Sequence, residues 1–416
     1  MADDNTRRSG ASSALALLLG INLFNYIDRY ILAAVEPEIR RTFFDPHDAT
    51  AMAKTGSLAT AFLLSYMLAA PVFGWIADRT SRWLIVGLSV ALWSLATAGS
   101  GLAATFSILF ATRLFVGLGE AGYGPAAPTL ISDFFPVNVR GRKLAYFYLA
   151  IPVGSALGFA LGGKISALFH NWRYPFYFMA VPGLALAIGC FFMREPPRGS
   201  REKTKAKFAD YLQVFKTPSY VLNTLAMTAM TFAIGGMSFW VPGYIYEFRH
   251  QPDLGAINLR FGAITVVAGL FATLLGGFAG DKLRERFSGA YFLLSGVAML
   301  IALPFTIAFL YVPFPWAWLM IFCAVFFLFF NTGPSNTALA NVTHPSIRAS
   351  AFALNIFIIH AAGDAISPPL IGWIAGRSNM NSAFLVVSAA ILFASLLWFW
   401  GAKFLGRDTA RVLDAP

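Results

Sequence analysis

Four ionisable residues interrupt stretches that are otherwise apolar: Asp28 and Arg29 in the first run, Arg113 and Glu120 in the fourth. Asn22, Asn25 and Arg29 follow helical steps, and Arg113 and Glu120 lie two turns apart, so each set shares one face of a helix. A carboxylate in such a setting must be paired, hydrated or protonated. Asp28 is therefore a candidate proton-binding group, with Arg113 as its natural cation; burial favours its neutral form and the cation its charged form. The same residues allow a second reading, a permanent ion pair of Asp28 with Arg113 or Arg29 that holds helices together. Asn25, Arg29, Arg113 and Glu120 are candidates for gripping an anionic ligand, because a guanidinium offers a permanent, bidentate hold that lysine does not. Glu120 either shares in that role or serves as a structural partner of Arg113 or of backbone groups.

A second constellation lies far along the chain. His360 and Asp364 are one helical turn apart, a spacing at which they can interact and either titrate near neutrality or close a gate by hydrogen bonding. Pro368 and Pro369 follow and are expected to break the helix locally. This half is otherwise aromatic and apolar (Phe232, Phe239, Trp240, Tyr244, Phe326, Phe327, Phe329 and Phe330), with most rings facing lipid or packing helices and Trp240 the candidate ligand contact. Charge in one half and apolar surface in the other suit an amphiphile with an ionic head and an acyl tail.

These side chains must be positioned by helices in a bilayer. With 57% hydrophobic and 12% charged residues, the chain has too little polar surface for a water-soluble globule of 416 residues. Apolar runs long enough to cross a hydrocarbon core recur along it, twelve in all, from 13–36 to 382–404. The fold class is all-α and polytopic. The first run is too long for a signal peptide and lacks a small-residue cleavage site, so it is read as a retained helix. Cys190 and Cys323 lie inside spans, which implies neither a disulfide framework nor a metal site. Most of the 31 Lys and Arg residues fall on the side of the N-terminus, so the net charge of +11 orients the chain and calls for no nucleic acid. Both termini are expected in the cytoplasm, with the chain spanning the cell (inner) membrane as a monomer without cofactor. No phosphate-binding loop, His-Glu-x-x-His or Gly-x-Ser-x-Gly sequence is present, so ATP drive and enzymatic chemistry are not expected. A non-transporting sensor is the alternative from a different class.

The runs divide into an N-terminal six-helix bundle (1–193), a basic cytoplasmic linker (194–217) and a C-terminal six-helix bundle (218–416). Pro125/Pro334, Pro136/Pro345, Gly154/Gly363 and Gly163/Gly372 share one offset, which indicates two parallel, pseudo-symmetric halves. Each half also carries a Gly-x-x-x-Asp-(Arg/Lys) turn: Gly74, Asp78, Arg79 and Arg82 in the first, Gly277, Asp281, Lys282 and Glu285 in the second. The glycines permit close helix contact and the aspartates can face a helix N-terminus, so the turns are candidates for a cytoplasmic gate. The substituted second copy is expected to be the weaker latch.

That turn, the Arg113-Leu-Phe-Val-Gly117-Leu-Gly119-Glu120 stretch and the glycine-rich fifth span (Pro152, Gly154, Gly158, Gly162, Gly163) resemble the major facilitator superfamily. The resemblance implies twelve helices in two bundles, alternating access about a central site, and a place for Asp133 in the charge network of the gate. Asn25-Tyr26-Ile27-Asp28-Arg29-Tyr30 and His360-Ala-Ala-Gly363-Asp364-Ala-Ile-Ser367-Pro368 resemble the Spinster family, in a bacterial-type member. This narrower resemblance implies a transporter for lysophospholipids or sphingoid phosphates such as sphingosine 1-phosphate, and the titratable groups at Asp28, His360 and Asp364 make proton coupling the expectation. Arg113 through Glu120 and the following Phe135-Pro136 are also similar to organic-anion carriers of the superfamily, which keeps a carrier of small organic anions or drugs open.

Overall fold

The computed structural model describes residues 2–77, 79–196, 214–344 and 347–413; Asp78, Pro345 and the linker stretch 197–213 lie outside the described residues. All regular structure among the described residues is helical. Eleven helices there are long and apolar enough to span a bilayer, and α5, interrupted by Arg113 and Glu120, joins them with 29 residues, about 43 Å of helix. In chain order the α-helices are α1 (Ala2–Ala34), the short α2 (Glu36–Phe43), α3 (Ala51–Ala77), α4 (Arg82–Leu102), α5 (Phe106–Phe134), α6 (Val137–Phe169), α7 (Tyr174–Phe191), α8 (Pro218–Glu247), α9 (Leu254–Arg284), α10 (Ala290–Ala308), α11 (Trp316–Phe330), α12 (Thr332–Asn341), α13 (Arg348–Ile359), α14 (Ser367–Arg377) and α15 (Met380–Leu413); α11 with α12, and α13 with α14, each make up one span.

The chain forms two compact units. One comprises the described residues of Met1–Arg201 together with Phe239–Ala263; the other comprises those of Glu202–Ser238 and Ile264–Pro416. The first unit therefore includes the last turns of α8 and the start of α9.

Within the first unit, close helix crossings set the register of the charged residues. A Cβ on Gly117 would lie 2.1 Å from the Phe62 carbonyl oxygen, and one on Gly119 2.7 Å from the Trp93 nitrogen, so α5 is wedged between α3 and α4. Gly154 and Gly158 meet α1 at the carbonyls of Leu23 and Ile27, 2.8 and 2.6 Å from an added Cβ. Packing of small residues lets backbones approach where lipid supplies no hydrophobic drive. The core between these crossings is filled by Leu18, Ile21, Trp83, Val90, Trp93, Val116 and Leu130.

Two features differ from the sequence expectation. The first span ends at Ala34, and α2 follows as a separate helix with Pro37 in its first turn, where a missing N–H costs nothing. Its acidic residues Glu36 and Glu38 open the helix and Arg40 and Arg41 close it, matching the helix dipole. The eleventh span does break, but at a π-helical turn, His360–Asp364, upstream of Pro368–Pro369. Proline perturbs the carbonyl four residues before it, and Asp364 is that residue for Pro368. Pro334 acts alike: its fourth predecessor, Phe330, ends α11.

Candidate functional site

The first unit brings four of the intramembrane charges into two ion pairs. Asp28 on α1 is 3% exposed; its Oδ2 accepts a hydrogen bond from Thr97 Oγ1 of α4 at 2.8 Å and lies 3.8 Å from Arg113 Nη1 of α5. Arg29, the next residue, turns to α5 at a different level and places Nε and Nη2 each 2.7 Å from Glu120 Oε2. Its guanidinium is flanked by the rings of Tyr26, Phe62 and Tyr66, at 4.9, 4.8 and 5.4 Å. The structure thus gives Glu120 to Arg29, a partner that sequence reasoning did not assign, and gives Arg113 to Asp28.

Neither pair is saturated. Among the described residues, Asp28 Oδ1, Glu120 Oε1, Asn25 Nδ2 and Arg113 Nε and Nη1 are buried without a hydrogen bond. Buried polar atoms are normally satisfied, and these are the donors and acceptors through which the two pairs can take a further partner.

Beside the second pair lies a cavity of about 130 Å3, lined by Asn22, Asn25, Tyr26, Arg29, Tyr66 and Glu120, and further along by Tyr123, Gly124, Pro128, Phe147, Tyr148 and Ile151. Glu120, Gly124 and Pro128 are spaced by four on α5, so the cavity follows one face of that helix toward Phe134. Asp28 and Arg113 are not among its lining residues, nor is Trp240, which is buried and packed edge-on to Phe239. The tyrosines and Phe147 were not singled out in the sequence, because a polar-tipped aromatic on an apolar face looks the same whether it packs or binds. Thr97 was missed for the same reason: a lone threonine in a span usually bonds its own helix.

In the second unit, His360 Nδ1 is 3.0 Å from both carboxylate oxygens of Asp364 across the π turn. Both side chains remain part-exposed. A π turn inside a helix is often a site of function, and here it is seated closely on α8: a Cβ on Gly363 would lie 2.9 Å from the Thr228 carbonyl oxygen.

Of the charged turn of the first half, Arg79 and Arg82 lie among the described residues and Asp78 does not. Arg82 is buried and donates from Nη1 to Asp133 Oδ2 at 2.5 Å and from Nε to Glu195 Oε1 at 2.7 Å. Glu195 Oε2 in turn accepts from the Arg82 backbone N–H and Ser81 Oγ, each at 3.1 Å, so its carboxylate sits on the positive end of α4. Glu195 is the member of this cluster that the sequence did not reveal. Its signal was an acid at the start of a basic stretch. Arg79 instead folds back over Trp75, and Gly74 makes an ordinary contact with Pro125. In the second unit, Tyr291 donates to Asp281 at 2.8 Å, while a Cβ on Gly277 would meet nothing within 4 Å among the described residues. A Cβ on Gly276 would lie 1.8 Å from the Phe330 carbonyl oxygen, and one on Gly333 would lie 3.0 Å from the Gly277 Cα, so the helices do approach closely at this turn. Among the described residues no group of His, Cys, Asp and Glu could hold a metal ion.

Comparison with known proteins is concordant. Residues 18–363 match the family model described as Major Facilitator Superfamily. The chain is 36% identical over 381 residues to protein spinster homolog 3 of Danio rerio, spanning 86% of this chain and 76% of that protein. It is 35% identical over 446 residues to protein spinster homolog 1 of Homo sapiens, spanning 99% of this chain and 83% of that one. Among solved structures, a bacterial homologue of the human lysosomal transporter Spinster, captured inward-facing and occupied, superposes with a TM-score of 0.84 at 22% identity, covering 96% of this chain and 98% of its own. At that identity the likeness is one of fold.

Proposed function

Since the chain belongs to the major facilitator superfamily, and within it to the Spinster family of membrane transporters, we propose that it is a proton-coupled secondary transporter of an amphiphilic anionic lipid, a lysophospholipid or a sphingosine 1-phosphate-like molecule. The observation that carries this reading is the pairing of two incompletely satisfied ion pairs, the buried Asp28–Arg113 and the part-buried Arg29–Glu120, with a cavity whose walls are aromatic. A phosphate-bearing head competes with Glu120 for the Arg29 fork, and Tyr26, Tyr66 and Phe147 offer apolar surface beside it. Asp28 and the His360–Asp364 pair are the groups that exchange protons as access alternates. Asn25 and Arg113 support the head-group grip, and Trp240 lines a path taken only in another conformation.

On this reading the halves 1–193 and 218–416, joined by 194–217, move as alternating bundles. Gly74, Asp78, Arg79, Arg82 and Asp133 form one side of a cytoplasmic gate and Gly277 and Asp281 the other. The basic balance supports an inner-membrane protein with cytoplasmic termini, and the presence of both halves in one chain supports a monomer.

The size of the cavity, about 130 Å3, favours a second reading: it accommodates a small anion without any tail. Uptake of labelled lysophospholipid into proteoliposomes, with competitors added outside, separates the two. The lipid reading expects unlabelled lysophospholipid to compete and the matching deacylated phosphodiester to leave uptake within about twofold. Efficient competition by the soluble anion, or no saturable lipid uptake above protein-free vesicles, would overturn it.

A further inference from the structure

The end of the first unit opposite the Gly74–Arg82 turn carries a charge cluster that the transport site does not use. Glu36 opens α2 and is 2% exposed, although it lies beyond the membrane span. Its Oε1 accepts from Thr55 Oγ1 of α3 at 2.7 Å and from Arg40 Nε of its own helix at 3.0 Å. Arg40 also binds Glu247, in the last turn of α8, and Arg41 Nη2 reaches the other oxygen of Glu247 at 2.8 Å. Two arginines of α2 are therefore fastened to one carboxylate of α8. What seals Glu36 is α8 itself: a Cβ on Gly243 would lie 3.2 Å from Pro37 and 3.6 Å from Glu36 Oε2, so the missing side chain lets the helix lie over the carboxylate. Below this lid, Asn258 of α9 donates to the Ala34 carbonyl oxygen at 2.9 Å, and Phe261 packs edge-on against Phe159 of α6.

We propose that Glu36 is a proton-binding site beneath a latch formed by Arg40, Arg41 and Glu247, and that a proton bound there holds this end of the transporter shut. The argument rests on the reading that the chain alternates between states open and closed at this end. The groups acting on the charge of Glu36 are Arg40 from α2, Thr55 from α3 and Glu247 from α8; Glu38 faces away, toward Ser166 of α6. Burial raises the affinity of Glu36 for a proton above that of an ordinary carboxylate, against the pull of Arg40 and Thr55. When α8 lifts, Glu36 is hydrated and returns to the ordinary range. The closed form is then the one that binds the proton more tightly, so by linkage acid stabilises closure and alkali favours opening. Neutralising Glu36 also frees Arg40 to serve Glu247 alone, which strengthens the bond between the two helices.

The test uses the full chain in proteoliposomes with Cys190 and Cys323 replaced by serine and one reporter cysteine, Phe239→Cys, buried one turn below Gly243 on the same face of α8. Ala49→Cys, exposed in the turn before α3, identifies which face of the membrane is involved and corrects for the pH dependence of the thiol. With an impermeant maleimide on that face, normalised labelling of F239C should fall at least about fivefold between about pH 8 and about pH 5. Added E36Q should give slow, pH-independent labelling, and added E247Q fast labelling at every pH. Should E36Q fail to fold, T55V removes a hydrogen bond to the charged form and should move the midpoint up by about one pH unit. Labelling indifferent to pH with Glu36 intact, unaltered pH dependence in E36Q, or an unmoved midpoint in T55V would overturn the proposal. No lipid enters this measurement, so failure of lysolipid uptake and failure of the latch are read separately.

Discussion

Asp28→Asn should bring uptake driven by a pH gradient down to the level seen without a gradient. Asn keeps the size of Asp28 and an oxygen that can accept from Thr97, but it cannot take up a proton, so the variant removes the chemistry while keeping most of the shape. It also leaves Arg113, 1% exposed, without its anion, and two of the guanidinium nitrogens already lack hydrogen bonds. If Asp28 is the coupling group, the expected loss of concentrative uptake is at least about tenfold, since any response to the gradient requires a titrating site. Asp28→Glu retains a titratable carboxyl and should recover part of the response. The measurement is initial uptake of labelled lysophospholipid at matched protein content, with and without the gradient. An Asn variant that still accumulates cargo against the gradient would transfer coupling to the His360–Asp364 pair.

The second large effect concerns Arg29. Arg29→Ala strands Glu120, which is 1% exposed and has one oxygen unpartnered even in the native protein. Removing one partner of a buried pair costs about 3–5 kcal/mol, whereas replacing both by apolar groups of similar volume is often close to neutral. Arg29→Ala should therefore lower the thermal unfolding midpoint in detergent sharply, and Arg29→Met with Glu120→Leu should recover most of it. Neither variant should transport, because the double variant restores packing without an anion grip. Arg29→Lys discriminates further: it keeps the charge but loses the planar fork and the stacking against Tyr26 and Phe62, so folding should survive with uptake reduced at least about tenfold. Native transport by the double variant would mean that the pair is purely architectural.

The sequence was most legible where membrane cost makes residues conspicuous. Charges within apolar runs are few, so Asp28, Arg29, Arg113 and Glu120 stood out, and opposite sign suggested Asp28 with Arg113. Which of two consecutive residues faces which helix was not legible. Asp28 and Arg29 are 100° apart on α1, and the choice is made by tertiary crossings at Gly154, Gly158 and Gly117 that join residues far apart in the chain. Helix existence followed from hydropathy, while interruptions were displaced from the prolines that cause them to the carbonyls one turn upstream. The short helix α2 was invisible because its length and polarity resemble a loop; only its packing beneath α8 reveals a buried glutamate. Glu195 belongs to the same class, an acid whose partner Arg82 becomes evident only when α7 returns to the start of α4.

The central claim, that cargo and proton move through one mechanism, is tested most directly by proton movement itself. Proteoliposomes enclosing a pH-sensitive dye, prepared without a gradient, would be given lysophospholipid and the internal pH recorded. The expected result is a saturable, lipid-dependent change in internal pH that is absent from protein-free vesicles and from Asp28→Asn vesicles. Saturable lipid uptake with no accompanying change in internal pH would contradict it.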